Sequence, residues 1–385
     1  MPTLRLRAKH DRRARRGHPW VFANEAERDP LRALSTGEVV DVLDAKGHFV
    51  GRGLAEPHEQ VAVRLLGGKH DDLDDVGFWV RRLRDALDHR ALVYGDRRDL
   101  RVVDGEGDRV GGLVIDRFGP VAVVQLRTAG LLARQELVAE AVREVLGVSG
   151  AVVHRGAEPP EVWFGDVPEA VTIEEGGVPL VVGPQEGLRR LHRTVHGDSR
   201  QVLAPLWRGK SVLEAYAGSG AWALAALHHG ASRAAVIDKA EAACERAALG
   251  AEAGGHELMI VCDEAKKTLE LLANKAHRYD VVVLDPPPFA KAKKLVTSGL
   301  KGYRELLTAG LTLVHPGGML VCATRSVHVS DEAYLEQLCG AAKKVGRRLR
   351  QVHAGGQAAD HPVRPEMPES RRLRTWAFSV TTDAG

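Results

Sequence analysis

The sequence predicts an α/β protein whose C-terminal domain holds a mostly parallel, doubly wound sheet, preceded by a small β-rich domain and a central α+β domain. From about residue 198 onward, short apolar runs alternate with helical patterns, which is typical of βαβ units. The first 70 residues instead hold short strand-like runs between glycine or charged turns. At 385 residues the chain is long enough for several cores, and we place the domains at 1–70, 71–190 and 191–385.

The first two domains are expected to contain eight elements. The strand-like runs are Glu38–Leu43, Phe49–Leu54 and Val61–Leu66 in the N-terminal domain, then Gly112–Asp116, Val121–Leu126 and Ala151–His154 in the central one. Apolar residues recur at helical spacing from Val76 to Leu87 and from Leu131 to Leu146.

The C-terminal domain is expected to alternate strands and helices along its length. The predicted strands are Ser211–Ala215, Ala234–Asp238, Met259–Cys262, Val281–Leu284, Met319–Ala323, Leu349–Val352 and Leu373–Val380. The predicted helices are Ala221–His229, Ala240–Gly250, Glu264–Ala273, Lys301–Val314 and Glu332–Lys344. Connections of this length suit helical crossovers between parallel strands.

Positive charge is concentrated at the N-terminus. The first 20 residues carry a single acid, Asp11, against Arg5, Arg7, Lys9, Arg12, Arg13, Arg15 and Arg16. Trp20 follows within His-Pro-Trp-Val-Phe, so flat stacking groups stand beside cations, a combination that suits RNA. A solvated charged face is the alternative interpretation. The residues that we predict to contact RNA are Arg12, Arg13, Arg15, Arg16 and Trp20.

Composition excludes several classes of protein. The charged fraction of 27% and the apolar fraction of 44% are ordinary for a soluble globular protein. No apolar run approaches the length of a membrane span, and the basic N-terminus lacks the apolar segment of a signal peptide, so we expect a cytoplasmic protein. The four cysteines match no zinc-binding spacing, which favours reduced thiols and no metal site.

The stretch Tyr-Asp-Val-Val-Val-Leu-Asp-Pro-Pro-Pro-Phe is an informative local pattern. Its apolar run, Val281–Leu284, is typical of a strand buried on both faces of a parallel sheet. Prolines cannot continue the strand because they have no N–H to donate, so Asp285 should lie where the strand leaves the sheet. Ligands of open α/β sheets bind at this carboxyl edge. A rigid turn with a solvated acid is the alternative.

Three further predicted strands end in residues suited to ligand binding. The first runs through Glu214 into Ala217-Gly218-Ser219-Gly220, where glycines allow close backbone approach and the next helix offers free amides. The second ends in Asp238, where an acid can accept both hydroxyls of a ribose, and the third is followed by Asp263. Helix capping could explain any one of these acids, but it explains four such strand ends together poorly.

These strand ends resemble those of class I S-adenosylmethionine-dependent methyltransferases. Over nearly its whole length the chain resembles the bacterial large-subunit ribosomal RNA cytosine methyltransferases that carry an N-terminal PUA domain. The segments that carry the resemblance are HPWVF at 18–22, RVVDGEGDRVGGLVIDRFG at 101–119, VLEAYAGSGAW at 212–222, DPPPFA at 285–290, KGYRELL at 301–307 and GQAADHPV at 356–363. It implies a PUA domain, a Rossmann-like methyltransferase domain, S-adenosylmethionine as the cofactor and RNA as the substrate.

The resemblance also implies roles for individual residues. Asp238 would bind the cofactor ribose with Lys239 beside it, and Asp263 would lie near the adenine amine. Asp285 would face the methionine end of the cofactor and the target base, while Phe289 would stack on a base removed from its RNA stack. Glu214 and the turn 217–220 would complete the cofactor site.

The chain departs from the family at several positions. Where the family has a nucleophilic cysteine after the fifth strand, this chain reads CATRSVH, with Arg325 at that position. Cys322 lies three residues earlier, which in a strand is ~10 Å away and on the opposite face, so we predict a core thiol. The family's T-G-x-x-x-D-Q-R segment aligns with RLHRTVHGDSR, in which only Arg200 clearly matches. Gly250 replaces an asparagine, and we expect His361 to be structural.

We therefore predict an S-adenosylmethionine-dependent methyltransferase of structured or ribosomal RNA that does not use the cysteine-dependent route to 5-methylcytosine. The alternative is an RNA-binding protein of the same fold that no longer methylates. Methylation of an exocyclic amine needs positioning and an acceptor rather than a thiol, so the missing cysteine does not decide between them. The basic N-terminal domain disfavours a small-molecule substrate, and a homodimer is left open.

Overall fold

The computed structural model describes residues 1–156, 158–186 and 194–382. The chain divides into two compact units: Met1–Glu169 with Ala359–Ser370, and Ala170–Ala358 with Arg371–Gly385. The predicted three-domain boundaries remain a prediction, and the one at 190 lies outside the described residues. In the described part of the chain, no helix combines the length and apolar character needed to cross a bilayer.

The first unit contains ten strands and five α-helices among the described residues. The strands are β1 Thr3–Arg5, β2 Trp20–Phe22, β3 Val39–Leu43, β4 Phe49–Ala55, β5 Val61–Gly67, β6 Leu100–Asp104, β7 Leu113–Phe118, β8 Val121–Leu126, β9 Gly150–Arg155 and β10 Glu161–Gly165. The helices are α1 Arg12–Arg15, α2 Arg28–Ala33, α3 Val76–Tyr94, α4 Ala129–Leu132 and α5 Gln135–Leu146. The predicted strands and the first predicted helix are confirmed within a few residues.

The strands of the first unit form two sheets. The N-terminal sheet has the order β1-β3-β4-β5-β2, and its core includes Leu4, Val21, Val40 and Val63. The second sheet has the order β10-β9-β8-β7-β6, and its core is shared with residues of α3 and α5, including the fully buried Trp79. Burial of these apolar side chains is the main favourable contribution to folding.

The helix predicted at Leu131–Leu146 is interrupted, which corrects that prediction. Arg134 separates α4 from α5 with a non-helical φ of −114°. Its buried guanidinium donates hydrogen bonds to the carbonyl oxygens of Gly37 and Gly130, at 2.9 and 3.1 Å. Apolar periodicity continues through the break, so the pattern alone gave no sign of a buried arginine that binds two backbone carbonyls.

Hydrogen bonds from Arg90 and Arg101 hold residues 359–370 to the rest of the first unit. Arg90 on α3 pairs with Asp108 through both terminal nitrogens and donates to the carbonyl oxygen of Asp360. The Asp360 carboxylate accepts a hydrogen bond from the backbone N–H of Arg101 at 2.9 Å. His361 lies with Nδ1 2.6 Å from the same carboxylate, which fits the structural role expected for it. The matched GQAADHPV segment is therefore partly a packing motif.

The second unit contains nine strands and six α-helices among the described residues. The strands are β11 Val171–Glu175, β12 Val178–Val182, β13 Ser211–Ala215, β14 Arg233–Asp238, β15 Met259–Cys262, β16 Tyr279–Leu284, β17 Val314–Thr324, β18 Arg347–Gly355 and β19 Arg374–Thr382. The helices are α6 Gly197–Leu203, α7 Ala221–His228, α8 Glu241–Ala253, α9 Ala265–Asn274, α10 Val296–Leu313 and α11 Asp331–Lys344. Every strand and helix predicted for this region is present.

The main sheet of the second unit has the order β15-β14-β13-β16-β17-β19-β18. Neighbouring strands from β15 to β17 are parallel, while β19 is antiparallel to both β17 and β18. The chain order reverses between β13 and β16, which is the switch point where open α/β sheets bind ligands. The doubly wound α/β prediction is confirmed.

We predict that Arg90→Met destabilises the protein by about 3–5 kcal/mol, because the buried Asp108 carboxylate would lose its cation. Methionine keeps much of the volume, so the effect should come mainly from charge. Urea unfolding followed by circular dichroism measures it. Arg81→Met on the same helix is the control: Arg81 is exposed and pairs with Asp71 at 3.3 Å, so its loss should cost about 1 kcal/mol or less. Equal effects of the two substitutions would contradict the prediction.

Candidate active site

Four parallel strands bring the predicted polar residues to one edge of the second unit's sheet. Ala215 at the end of β13 pairs with Ile237 of β14 on one side and with Leu284 of β16 on the other. Asp238 at the end of β14 pairs with Cys262 of β15. The strands therefore end almost level, and Asp263, Asp238 and Asp285 lie in that order along the same edge.

The turn after β13 has an unusual backbone that Asp238 helps to hold. Tyr216, Gly218 and Gly220 all have positive φ angles, of 62°, 56° and 74°. The Asp238 carboxylate accepts hydrogen bonds from the N–H groups of Gly218, at 2.9 Å, and Ala240, at 3.0 Å. A carboxylate has about four acceptor sites, so two such bonds leave room for ribose hydroxyls. Asp238 thus shapes the turn and retains acceptor sites that a ligand could use.

The two glycines of the turn differ in their surroundings. A Cβ at Gly218 would meet no atom within 4 Å, so this position opens onto free space. A Cβ at Gly220 would lie 3.2 Å from the side chain of Ala247, so there the absence of a side chain permits packing against α8. Gly218 is the position at which the backbone is open to a ligand.

Glu214 is a buried acid inside β13. Its Oε2 accepts a hydrogen bond from the N–H of Ala223 at 2.9 Å. Burial raises the pKa of Glu214 to about 8, assisted by the charge of Asp285, while that hydrogen bond and the nearby Arg200 act against the shift. Glu214 is therefore mainly protonated at neutral pH, and it can donate as well as accept a hydrogen bond.

Asp285 lies between two basic side chains. Its Oδ2 is 3.1 Å from Nε2 of His196, and its Oδ1 is 3.2 Å from Nη2 of Arg325. Arg325 also donates to the carbonyl oxygen of Pro286 at 3.3 Å. Burial lowers the pKa of His196, although Asp285 opposes the shift. Arg325, at the position where the resemblance implies a cysteine, is thus held against the acid of the Asp-Pro-Pro turn.

His196 is a site residue that the sequence interpretation missed. It ends the 3-10 helix Thr194–His196 and lies in the segment treated as a poor match to the family. The ring is buried, with its centroid 5.8 Å from that of Trp222. Arg200, the residue of that segment that clearly matches the family pattern, forms a bidentate ion pair with Glu175, at 2.6 and 2.7 Å. Residues 190–193 of the aligned segment lie outside the described residues.

Phe289 forms part of the wall of a cavity of about 410 Å³ beside the Pro-Pro-Pro loop. One face of its ring packs on Tyr303, with ring centroids 4.6 Å apart. The Tyr303 hydroxyl lies 2.8 Å from the hydroxyls of both Thr324 and Ser326, which fixes that ring. Other lining residues are Tyr216, Pro287, Pro288, Lys266 and Lys291. Flat rings and prolines beside lysines suit a purine or another base.

Asp263 and Lys239 are more exposed than the other predicted residues. Asp263 accepts a hydrogen bond from the N–H of Glu264 at 2.7 Å and lies 3.4 Å from Nζ of Lys267. These contacts lower the pKa of Asp263, the backbone bond contributing most. Lys239 is exposed immediately after Asp238. Their predicted contacts with adenine and ribose remain predictions.

Cys322 is placed as the sequence predicted, whereas Cys262 and Cys339 are exposed. Cys322 is fully buried within β17, between Leu284 of β16 and Trp376 of β19, and burial raises its pKa to about 12. Cys262 is exposed beside Asp238, at the predicted adenine end of the edge. Cys322 is therefore a core thiol with almost no thiolate at neutral pH.

The basic residues predicted to bind RNA fall into two groups in the first unit. Arg13 pairs with Glu25 at 3.1 Å, and Arg15 lies 3.7 Å from Asp44. Arg12 and Arg16 are exposed and form no ion pair within the described residues. The Trp20 indole N–H donates to Glu106 at 3.0 Å. RNA binding by these residues remains a prediction. Arg12 and Arg16 would contribute the most accessible charge to it.

Comparison with known proteins identifies relatives over almost the whole chain. A family described as PUA-like domain matches residues 4–67, and one described as Conserved hypothetical protein 95 matches residues 174–347. Ribosomal RNA large subunit methyltransferase I of Serratia proteamaculans is 30% identical over 382 residues, which cover 95% of this chain and 96% of the relative. The same-named protein of Photobacterium profundum is 30% identical with the same coverage of both chains. The chain belongs to the ribosomal RNA large subunit methyltransferase I family.

Solved structures agree with this assignment at the level of fold. A methyltransferase complexed with SAH is 19% identical, with a TM-score of 0.86 over 98% of this chain and 100% of the other. A SAM-dependent methyltransferase from Streptococcus mutans gives a TM-score of 0.83 at 19% identity, with the same coverage. The predicted PUA-like domain and class I methyltransferase fold are confirmed, and the chain is a methyltransferase.

We predict that Glu214→Gln makes the stability of the protein less dependent on pH. The folded protein retains a proton on Glu214 that the unfolded chain releases above its ordinary pKa of 4.5, so wild-type stability falls as pH rises toward about 8. Glutamine resembles the protonated acid and does not ionise, so the variant does not lose stability in this way as pH rises. The advantage of the variant should grow by at most about 1.4 kcal/mol per pH unit. Urea unfolding between pH 5 and 8 measures it, and a constant difference would contradict the raised pKa.

We predict that Asp238→Asn weakens binding of S-adenosylhomocysteine about ten- to hundredfold, because a hydrogen bond to a charged group contributes about 1.5–3 kcal/mol. Isothermal titration calorimetry measures the affinity. Glu241→Gln is the matched control, since Glu241 is an exposed acid three residues further along. If both variants bind as tightly as the wild type, Asp238 does not contact the cofactor.

Proposed function

We propose that this chain methylates structured or ribosomal RNA without a cysteine nucleophile. The cofactor of this methyltransferase is S-adenosylmethionine, which supplies an electrophilic methyl group on a sulfonium. Relatives named as ribosomal RNA methyltransferases, aligned over 95% of the chain, support RNA as the substrate. The PUA-like match at 4–67 supports it independently, because it covers the predicted RNA-binding residues.

The cofactor site that we propose is the sheet edge described above. Gly218 and Gly220 would permit close approach of the backbone, and Asp238 would accept the ribose hydroxyls. Asp263, which follows β15, would lie toward the adenine. Asp285 would face the methionine end. Glu214 would complete the cofactor site as a protonated acid.

The pairing of Arg325 with Asp285 is the observation that carries the proposal about chemistry. Covalent methylation of cytosine carbon needs a thiolate within bonding distance of the base. Arginine stays protonated and cannot add to a ring. Cys322, the nearest thiol along the strand, is fully buried and has its pKa raised to about 12. The side chains at the strand end therefore supply charge and hydrogen bonds but no nucleophile.

The arrangement suits methylation of an exocyclic amine. Such an amine already has a nitrogen nucleophile and needs an acceptor that orients its N–H groups. Arg325 lies 3.2 Å from Asp285, and the carboxylate oxygens of Asp285 can accept those hydrogen bonds. Phe289, backed by Tyr303, would stack on the base. The alternative, an RNA-binding protein of this fold that no longer methylates, would use the same surface without transfer.

We predict that RNA containing 5-fluorocytosine forms no covalent adduct with the wild-type protein, because no accessible thiol adjoins Asp285. Denaturing electrophoresis detects such an adduct. Arg325→Cys places a thiol at the family's position and is the matched positive control, since its adduct would show that the base reaches this point. Cys322→Ala identifies any contribution from the buried thiol. A wild-type adduct that disappears in Cys322→Ala would refute the proposed route.

A measurement of methyl transfer distinguishes the proposed methyltransferase from an RNA-binding protein that no longer methylates. Incubation with methyl-labelled S-adenosylmethionine and ribosomal RNA, followed by nucleoside mass spectrometry, should yield a methylated amine in the absence of an adduct. Asp285→Asn retains size but lacks the charge that orients the amine, so transfer should fall about a hundredfold or more. RNA binding without transfer or adduct would favour the non-methylating alternative.

A further inference from the structure

A polar groove in the first unit is separate from the sheet-edge site. It encloses about 340 Å³, and its cationic lining residues are Arg82, Arg109 and Arg364. The other charged residue among its lining is Glu366, and the remaining walls include Gly17, Gly67 and Gly68. None of the RNA contacts predicted from sequence lies in this lining. Three arginines around one acid leave an excess of positive charge in a concave surface.

Arg82 is fixed in place at the side of the groove. Its Nη2 donates to the carbonyl oxygen of Leu66 at 2.7 Å, and its guanidinium lies over the ring of Phe78, 5.0 Å from the ring centroid. Its carboxylate neighbours Asp71 and Asp85 are 3.7 and 3.8 Å away, too far for direct hydrogen bonds. An arginine held in this way loses little conformational freedom when it binds an anion.

Arg364 lies in the segment Ala359–Ser370, which belongs to the first unit, and hydrogen bonds fix its side chain. It donates to Glu366, and its terminal nitrogens also donate to the carbonyl oxygens of Glu106, at 3.4 Å, and Gly17, at 3.3 Å. Three stretches distant in sequence therefore meet at one guanidinium. Glu366 neutralises part of the charge of Arg364, and Asp71 and Asp85 neutralise part of the charge of Arg82, so Arg109 provides most of the attraction for an anion.

Arg109 is the third arginine of the groove and caps a short helix. It ends the 3-10 helix Gly105–Asp108 with φ 61° and ψ 25°, the left-handed region in which glycine is usual. Its side chain is exposed and forms no ion pair among the described residues. A left-handed cap is common at a helix end, so the feature that matters here is the accessible guanidinium of Arg109 in the lining of the groove.

We infer that this groove binds the phosphodiester backbone of the RNA substrate. Two fixed arginines and one exposed arginine offer planar donors that match phosphate oxygens. An ordinary solvated surface would not need Arg82 stacked on Phe78 and hydrogen-bonded to a carbonyl oxygen beside two further arginines in one concave lining. The inference rests on the proposed RNA substrate and adds a contact site that lies outside the methyl-transfer site.

Arg109→Gly tests the inference because glycine removes the side chain and also relieves the backbone. The thermal unfolding temperature should therefore stay the same or rise. Binding of a short fluorescein-labelled RNA hairpin, followed by anisotropy, should weaken about tenfold at about 50 mM salt, and the salt slope should flatten by about 0.7–0.9. Arg109→Lys should restore much of the slope. Arg28→Ala, which removes an exposed arginine of α2 outside the groove, should have little effect.

The outcomes separate this inference from the proposed function. If the wild type does not bind the hairpin at low salt, the RNA substrate itself is wrong. If the wild type binds and Arg109→Gly binds with the same affinity and slope, the groove is not an RNA contact. If a mononucleotide competes at the groove as well as the hairpin does, the site recognises a free nucleotide and the inference is wrong. An RNA defect in Arg109→Gly at undiminished thermal stability supports it.

Discussion

Strand β13 is hydrogen-bonded in parallel on both sides, and the whole candidate active site depends on this pairing. Because β14 and β16 run in the same direction and in register with it, their last residues emerge beside the turn that follows β13. Asp238 can then accept a hydrogen bond from Gly218, although the two residues are on different strand ends. A one-residue slip of β14 would turn Asp238 to the other face and release the turn.

Charge around the sheet edge is balanced within the second unit. Glu175 with Arg200 and Asp285 with Arg325 each combine one acid and one base, and both acids are largely buried. Glu214 has no basic partner at hydrogen-bond distance in the described structure, and it avoids a buried charge by keeping its proton. These groups therefore bury little net charge.

The sequence predicted the architecture of this site well because the governing pattern is local. Apolar runs followed by Asp238, Asp263 and Asp285 indicate where strands end, and parallel strands must end together. It could not show that His196 reaches Asp285, since that contact depends on how a distant segment packs. Nor could the sequence show that Arg13 forms ion pairs and Arg12 does not, among the described residues. The acids that pair with Arg13 come from other parts of the chain. Side-chain pairing across long sequence separations has no periodic signature.

The return of residues Ala359–Ser370 to the first unit has a consequence for synthesis of the chain. Strand β18 precedes this segment and β19 follows it, and both belong to the second unit. During translation the N-terminal part emerges early. The hydrogen bonds of Arg90 and Arg101 to Asp360 can form only after most of the polypeptide has left the ribosome. A nascent chain released before that point would expose buried charged groups, so prematurely terminated products should be readily recognised by proteases.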